Sequence, residues 1–308
     1  MNIEVYVKSD VGRVRAGNED NFLLLNLGSG NSQTIDQQIN YSANFPAIDM
    51  QSEGVALAVS DGMGGALAGE VASQLAVEIL RDVLLGTDTE ITLTPDDSAS
   101  LLRKLYQATI NANRRIHRQS HEDDNLRGMG ATLTAAAVSS ETVYLSQIGD
   151  SRAYLLRGGK IVQITKDQSL VQQLIDTKQI NEKDAETHPL RNVILQALGA
   201  QSEIVPVCSQ FKPLRNDILL LCSDGLSGKL RIEDLQEIVS RHTQDLASAV
   251  VEMIDEANLR GGEDNITLIL ARFNDEQFAD GDDEINIETV YPYSNEYADT
   301  GDLPKLDT

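Results

Sequence analysis

Five aspartates stand in short polar motifs at the ends of apolar segments, where carboxylates from distant parts of a chain can act together. They are Asp20, Asp61, Asp150, Asp224 and Asp264. Asp61 and Asp224 follow the apolar runs VALAVS and ILLLCS, and Asp264 stands just before ITLILARF. One such aspartate would be interpreted as a turn residue, because its side chain hydrogen-bonds nearby backbone. Five of them at strand ends favour a shared carboxylate cluster.

Carboxylates gathered at one edge of a sheet repel one another unless cations neutralise them. Hard oxygen ligands suit Mg²⁺ or Mn²⁺, and a zinc site would need histidine or cysteine nearby. The histidines stand away from the aspartate motifs, at His117, His121, His188 and His242, and no EF-hand spacing occurs. His188, just before a proline, is interpreted as a hydrogen-bonded loop residue, with a catalytic role as the alternative. We therefore predict a magnesium or manganese centre.

Apolar runs and their periodicity predict the elements that position these aspartates. Strands are expected at 22–27, 55–60, 131–138, 142–148, 152–156, 160–165, 218–223 and 266–273. Helices are expected at 66–85, 98–117, 169–180, 182–186, 232–241 and 245–258. The polar residues 28–53 are interpreted as a long loop. This order mixes hairpins with paired helices, which favours an α+β architecture of antiparallel sheets with helices outside.

The chain has 308 residues and a net charge of −23, which argues against a nucleic-acid partner. Residues 275–308 carry eleven acidic residues and one basic residue, so we expect a disordered acidic tail after residue 273. Cys208 and Cys222 form no paired motif and are expected to be small buried hydrophobes. No secretory signal or membrane span is apparent, and we expect a soluble cytoplasmic protein.

The helix expected at 98–117 carries basic residues on one side. We interpret them as a solvated helix face, and a docking surface is the alternative. The residues are Arg103, Lys104, Arg114, Arg115 and Arg118.

Six short motifs make the chain recognisable when they are taken in order. They are VGRVRAGNED at 11–20, VSDGMGG at 59–65, GMGAT at 128–132, GDSR at 149–152, SDGL at 223–226 and EDN at 263–265. With them, the chain resembles the PPM family, the type 2C metal-dependent protein phosphatases, and looks most like its bacterial branch. The resemblance covers about residues 4–273, which we expect to form one phosphatase domain.

The resemblance implies two antiparallel β-sheets packed as a sandwich and flanked by helices, with metal ions at one edge. It implies that Asp61 bridges two ions, Gly62 offers its carbonyl, and Asp224 and Asp264 bind the first ion. Asp20 would hold the second ion through water. A third, weaker ion would use Asp150 and Asp224.

The resemblance also implies a reaction in which a hydroxide bridging the two ions attacks the phosphorus directly. Arg15 would grip the substrate phosphate. Arg13 is a rival, and the spacing to Asp20 favours Arg15. Met63 stands where many eukaryotic members have a histidine proposed as general acid, so the proton donor stays open. Residues 165–198 correspond to a variable flap that affects substrate choice.

The function implied is hydrolysis of phosphoserine and phosphothreonine on protein substrates, in opposition to protein kinases, by a monomeric enzyme. One alternative is a pseudophosphatase, in which the same fold serves as a binding module. The intact aspartate set argues against that alternative. Another is a phosphatase of small molecules, which a comparison of phosphopeptides with phosphorylated metabolites would distinguish.

Overall fold

Two antiparallel β-sheets, packed face to face between layers of helices, form the core of the fold. The computed structural model describes residues 1–35, 40–50, 53–139, 141–281 and 284–293. The first sheet has the strand order β10-β9-β12-β13-β1-β4, and the second has the order β14-β11-β8-β7-β5-β2-β3, with β6 pairing the end of β5. The predicted fold class, a two-sheet α+β sandwich, is confirmed.

The strands within the described ranges are β1 (Asn2–Asp10), β2 (Asp20–Asn26), β3 (Ser32–Gln33), β4 (Tyr41–Asp49), β5 (Val55–Met63), β6 (Gly130–Ala131), β7 (Leu133–Val138), β8 (Val143–Ile148), β9 (Arg152–Arg157), β10 (Lys160–Gln163), β11 (Val207–Phe211), β12 (Ile218–Cys222), β13 (Ile266–Arg272) and β14 (Glu288–Thr289). The helices are α1 (Ala66–Leu85), α2 (Pro95–Ala99), α3 (Leu101–Glu122), α4 (Leu170–Asp176), α5 (Glu182–Glu186), α6 (Asp224–Ser227), α7 (Ile232–Arg241) and α8 (Leu246–Leu259).

Side-chain alternation along the strands builds three apolar layers. In β2, Phe22 and Leu24 point between the sheets, whereas Leu23 and Leu25 point to the layer that contains α1 and α3. This is the period of two that a pleated strand imposes. The first sheet likewise presents its outer face to α7 and α8. Strands buried on both faces explain why the central segments are apolar throughout.

Most predicted helices lie where the periodicity places them. The helices at 66–85, 182–186 and 232–241 have the predicted bounds. The helix predicted at 98–117 begins instead at Leu101, because the Ser100 side chain accepts a hydrogen bond from the Arg103 N–H and caps it. Pro95 begins the separate one-turn helix α2, and Ser98 belongs to that helix.

The prediction of a long loop at 28–53 is wrong for residues 32–33 and 41–49, which are strands. Residues Tyr41–Asp49 form the nine-residue strand β4, which pairs with β1 at the edge of the first sheet. An edge strand with one solvated face has polar residues at alternate positions, so its sequence reads as a loop. Residues 36–39 and 51–52 lie outside the described residues.

The prediction of a disordered tail also differs from the structure where the tail is described. Phe278 is buried and packs against Phe273 with ring centroids 5.2 Å apart. Further along, β14 pairs with β11 in the second sheet. Residues 282–283 and 294–308 lie outside the described residues.

The basic side of α3 is largely paired with other parts of the chain. Arg115 contacts Asp88 at 2.7 Å, and Arg118 contacts Glu90 at 2.7 Å. Arg103 donates a hydrogen bond to the Pro292 carbonyl. Three of the five basic residues are therefore paired within the chain, whereas Arg114 is exposed, so the predicted solvated face holds only in part.

Both cysteines are buried and free of disulfides, as predicted. In the described ranges, every helix is too short or too polar to cross a bilayer.

Candidate metal centre

Strand ends from both sheets bring the predicted aspartates to one edge of the sandwich. Asp20 opens β2 and lies directly opposite Asp61 near the end of β5. Asp224 follows β12 as the first residue of α6, and Asp264 lies two residues before β13. Asp150 lies in the short connection between β8 and β9. Antiparallel topology thus joins aspartates that are up to 244 positions apart in the sequence.

Burial and mutual repulsion raise the pKa values of four of the five aspartates. Burial, followed by the charges of Asp224 and Asp264, raises the pKa of Asp20 to about 7, although the Ser223 and Thr267 hydroxyls oppose the shift. Burial and the charges of Asp224 and Asp167 raise the pKa of Asp150 to about 7. The pKa values of Asp20 and Asp150 therefore depend on the charges of neighbouring carboxylates. Such mutual repulsion is typical of a site that binds cations.

Asp61 is at the centre of this network. Burial raises its pKa well above the ordinary value, and the charges of Asp20, Asp224, Asp150 and Asp264 add to the shift in that order. Asp224 also has a raised pKa, first through burial and then through Asp264, although its hydrogen bond to Asp61 opposes the shift. A negative charge on one of these two carboxyl groups therefore disfavours a charge on the other.

Three carboxylate oxygens of the cluster are buried and lack a hydrogen-bond partner among the described residues. They are Oδ1 of Asp20, Asp150 and Asp224. Buried polar atoms are almost always paired, so three orphaned oxygens at one edge call for a ligand. A divalent cation is the ligand whose charge fits such a set.

The donor set fits Mg²⁺ or Mn²⁺ rather than a metal that needs a closed protein cage. Among the described residues, no three acidic, histidine or cysteine side chains are arranged to enclose an ion by themselves. Mg²⁺ keeps several waters and takes one or two carboxylates at a site. An open set of aspartates is compatible with this mixed coordination by carboxylates and water. A structural zinc site would instead need four convergent ligands.

Arg15 lies at the rim of the cluster with its guanidinium held between two carboxylates. Its Nη2 donates a hydrogen bond to Asp264 Oδ2 at 2.9 Å, and its Nη1 lies 3.8 Å from Glu19 Oε1. The Arg15 side chain is 45% exposed, so a ligand could reach it. Arg13 is also exposed, but its backbone N–H donates to the Gly262 carbonyl, and no described contact joins its side chain to the aspartates.

Residues beside the aspartates hold them in place, and sequence reasoning did not assign roles to these supports. Thr132 Oγ1 accepts a hydrogen bond from the Asp61 N–H at 3.0 Å and lies 2.7 Å from Ser151 Oγ. The Ser223 hydroxyl donates to Asp20 Oδ2 at 2.7 Å. Thr132 belongs to the motif GMGAT and Ser223 to the motif SDGL. The motifs therefore contained the signal that could have identified these supporting residues.

Asn265 joins the loop at residues 11–19 to the segment that carries Asp264. Its side-chain amide donates to the carbonyls of Val11 and Gly17, and its Oδ1 accepts from the Glu19 N–H. The loop that carries Arg15 is therefore fixed to the residue next to Asp264. This contact explains why an asparagine follows the aspartate in the EDN motif.

Gly62 is confined by the backbone of α1. A Cβ atom at this position would lie 2.0 Å from the Gly69 carbonyl oxygen, and the Gly62 N–H donates to the Glu19 carbonyl. No larger residue fits without moving the first turn of α1. The close approach brings that turn against the strand that carries Asp61.

The remaining predictions concern the flap and the histidines. Residues 165–198 contain α4 and α5, and two isolated bridges, Ser169 to Ile194 and Ala131 to Leu198, lie at their base. In this segment His188 Nδ1 accepts a hydrogen bond from the Leu190 N–H, as expected of a loop histidine. Gln168 Oε1 accepts from the Gly149 N–H, so the flap contacts the residue before Asp150.

The sandwich with acidic strand ends at one edge and an arginine at the rim defines a metal-dependent phosphatase fold. A family model described as protein phosphatase 2C matches residues 41–267, and the chain belongs to that family. The predicted resemblance and enzyme class are confirmed.

Individual proteins that are similar to this chain are also serine/threonine phosphatases. The serine/threonine phosphatase stp of Listeria welshimeri is 36% identical over 268 residues, covering 87% of this chain and 94% of that protein. The crystal structure of the Mycobacterium tuberculosis serine/threonine phosphatase PstP/Ppp has a TM-score of 0.71 and 33% identity, covering 89% of this chain and all of that one. The catalytic domain of PstP in complex with two manganese ions has a TM-score of 0.68 and 33% identity, covering 89% and 99%.

Proposed function

We propose that this protein is a manganese- or magnesium-dependent protein phosphatase that hydrolyses phosphoserine and phosphothreonine. The observation that carries the proposal is the buried aspartate cluster beside an exposed guanidinium. Three of its oxygens have no hydrogen-bond partner in the part of the chain that the structure describes. Family membership and the names of the relatives, which are serine/threonine phosphatases, support the same reaction. The two-manganese complex of PstP supports the choice of cofactor.

The residues that would hold the ions are Asp20, Asp61, Asp150, Asp224, Asp264 and the carbonyl of Gly62. Bound divalent ions would activate a water and draw negative charge from the phosphoryl oxygens. The chain's own contribution is position. Thr132 fixes the backbone of Asp61, and Ser223 orients Asp20. The division of these residues among the ions stays a prediction: Asp61 on two ions, Asp224 and Asp264 on the first, Asp20 on the second through water, and Asp150 with Asp224 on a weaker third ion.

Arg15 is the residue that we assign to the substrate phosphate. A guanidinium offers two parallel N–H groups, which match two oxygens of a phosphate dianion. Asp264 and Glu19 contact the guanidinium and hold it at the rim of the cluster. Neither Met63 nor a described histidine at the cluster offers a proton for the leaving oxygen, so the proton donor stays unassigned.

The finer assignments are also proposals. We propose that the substrates are phosphorylated proteins, that the enzyme opposes protein kinases in cytoplasmic signalling, and that the catalytic domain is monomeric. The strong negative charge of the chain supports the exclusion of nucleic acid as a partner.

The decisive experiment measures phosphate release from a phosphothreonine peptide with Mn²⁺, with Mg²⁺ and with a chelator. We expect turnover that needs the metal and is lost in Asp224→Asn. A set of phosphorylated metabolites serves as the comparison. Faster turnover of a metabolite would favour a small-molecule phosphatase. No turnover of any phosphoester in any divalent metal would favour a pseudophosphatase and overturn the proposal.

A further inference from the structure

Two histidines lie one turn apart near the end of α3, outside the aspartate cluster. His117 and His121 have the i, i+4 spacing that places two side chains on the same face of a helix. Their ring centroids are 4.3 Å apart, and the ring planes are inclined by 68°. The same spacing brings two zinc-binding imidazoles together in the helical HExxH motif. The pair is therefore a candidate metal site of a different kind from the aspartate cluster.

Hydrogen bonds hold both rings in the tautomer that binds a metal through Nε2. His117 Nδ1 lies 3.2 Å from the Gly199 carbonyl oxygen, and His121 Nδ1 lies 2.8 Å from the His117 carbonyl oxygen. A carbonyl oxygen only accepts, so in the neutral rings each Nδ1 carries the proton and each Nε2 has the lone pair. The Ser120 hydroxyl near His121 Nδ1 does not change this, because it donates its proton to the His117 carbonyl.

This arrangement is the usual one at metal-binding histidines, whose second ring nitrogen donates to a carbonyl or a carboxylate. In the described part of the chain, neither Nε2 atom of the pair has a hydrogen-bond partner. His121 is exposed and His117 is partly exposed, so an ion can reach both. The other histidines differ, because His242 Nε2 contacts a glutamate at 2.5 Å and His188 Nδ1 accepts a backbone N–H.

The type of ligand determines which ion suits the pair. Imidazole nitrogen suits Zn²⁺, Cu²⁺ and Ni²⁺, whereas Mg²⁺ and Mn²⁺ prefer oxygen. A zinc ion bonded to two imidazole nitrogens holds the ring centres about 5 Å apart, so rings at 4.3 Å are close enough to share one ion. Water would complete the coordination, since the described residues bring no third histidine, cysteine or carboxylate into ligand geometry.

The charge at this end of α3 also favours a cation. Glu122, Asp123 and Asp124 follow the second histidine directly. The carboxyl end of a helix carries a partial negative charge, which attracts positive groups. Both effects raise the local concentration of divalent ions beside the exposed ring of His121.

The pair lies where α3 meets the chain that leaves the flap segment. Its contact there is the Gly199 carbonyl, which faces His117 Nδ1. The preceding residue, Leu198, exchanges backbone hydrogen bonds of 3.1 Å and 2.8 Å with Ala131, and Ala131 pairs with Gly62 of β5. An ion that fixes the His117 ring would therefore steady the backbone between the flap and the strand that leads to the aspartate cluster.

We propose that His117 and His121 form a binding site for Zn²⁺, and that the bound ion stiffens the junction between α3 and Gly199. The site uses the two Nε2 atoms as ligands and the two carbonyls as the groups that orient the rings. This inference is independent of the phosphatase reaction, because none of the predicted magnesium or manganese ligands belongs to the pair.

The test uses the full chain, with Cu²⁺ as a spectroscopic probe and Zn²⁺ as the proposed ligand. One equivalent of Cu²⁺ should show hyperfine splitting from two imidazole nitrogens in electron paramagnetic resonance, a pattern that carboxylate oxygens cannot give. His121→Gln should reduce the pattern to one nitrogen and should weaken Zn²⁺ binding in calorimetry by at least about tenfold. His188→Gln is the matched control and should change neither result.

Hydrogen exchange followed by mass spectrometry tests the effect on the junction. Zn²⁺ should slow exchange at residues 197–200 in the parent chain and in His188→Gln, and this slowing should be lost in His121→Gln. Zinc bound at the aspartates would act alike in all three chains. Absence of nitrogen splitting in the parent chain, or the same splitting in His121→Gln, would overturn the site. Equal slowing in all three chains would overturn the stiffened junction.

Discussion

Asp20 and Asp61 are direct cross-strand neighbours, paired in register at the ends of β2 and β5. Both side chains point to the same edge, and burial raises the pKa of each. Opposed like charges on paired strands are destabilising. The pair therefore costs stability in the folded protein, and that cost is offset when a cation lies between the two carboxylates.

Asp61→Asn should separate catalysis from stability. We expect turnover to fall on the order of 1,000-fold or more, because the central carboxylate of the cluster is lost. The melting temperature in chelator should rise, because the amide removes a buried charge that its neighbours repel. Phosphopeptide assays and thermal melts measure the two effects.

The exposed Asp255 provides the control for this experiment. Asp255→Asn should leave both turnover and melting temperature close to those of the parent chain. Retention of near-normal turnover in Asp61→Asn at saturating Mn²⁺ would remove Asp61 from the reaction.

The raised pKa values of Asp20 and Asp150, both about 7, predict how stability depends on pH. An unfolded aspartate titrates near 3.9. Between about pH 4 and pH 7 the folded chain therefore binds more protons than the unfolded chain, so its stability falls as pH rises through that range. Divalent ions compete with those protons, and their stabilising effect should grow with pH.

Thermal melts at pH 5.5 and pH 7.5, each with chelator and with Mn²⁺, test this dependence. The melting temperature in chelator should be higher at pH 5.5 as far as these groups determine it. The increase caused by Mn²⁺ should be larger at pH 7.5. An equal increase at both pH values would contradict the coupling between protons and metal at the cluster.

Arg15→Ala should weaken binding of the substrate phosphate. Hydrogen bonds to charged groups contribute about 1.5–3 kcal/mol, so we expect kcat/KM to fall by roughly 10- to 100-fold, with much of the loss in KM. Arg13→Ala is the matched control, and we expect a change of less than about threefold, the size of an ordinary surface substitution. If Arg13→Ala were the damaging change, the assignment of the phosphate-binding arginine would move to Arg13.

Thr132→Val and Thr134→Val compare two buried threonines on the same stretch of chain. Thr132 accepts the Asp61 N–H, whereas Thr134 donates to the Ser151 carbonyl. Each change removes a buried hydrogen bond and should cost about 1–3 kcal/mol in urea unfolding. Only Thr132→Val should raise the Mn²⁺ concentration needed for half-maximal activity. An equal change in the Mn²⁺ requirement of both variants would mean that Thr132 contributes only to stability.

Phe278→Ala tests whether the described part of the tail belongs to the folded protein. Phe278 is only 3% exposed and packs against Phe273. Loss of a buried phenylalanine side chain typically costs about 3–5 kcal/mol. We expect the low end of that range in urea unfolding, since the segment can adjust. A change below about 0.5 kcal/mol, the usual effect of a surface substitution, would show that the segment is not packed in solution.

The sequence allowed prediction of the features that short motifs and apolar periodicity determine. Asp61 and Asp224 each follow an apolar strand, so their place at a sheet edge could be inferred before the fold was known. The bounds of α1 and α7 followed from helical spacing. Which ion each aspartate contacts was not predictable from the chain alone and stays a prediction.

Other features were hidden for physical reasons. β4 is an edge strand whose polar face resembles a loop, and its pairing with β1 depends on contacts between distant residues. The described chain after residue 273 contains only a few apolar residues within an acidic stretch, so its composition suggested disorder although Phe278, Ile285 and Ile287 pack against the core. The hydrogen bond between Thr132 and the Asp61 N–H depends on the pairing of β5 with β7, which the chain order does not give.

The hydrogen bonds between Asn265 and the loop at residues 11–19 have a consequence for the synthesis of the protein. Asn265 fixes the loop at residues 11–19, and β1 pairs with β13 inside its sheet. A ribosome therefore releases β1, Arg15, Asp20 and Asp61 long before β13, Asp224 and Asp264 exist. The nascent protein should be unable to process phosphoester until nearly the whole domain has emerged, so that hydrolysis begins only with completed molecules.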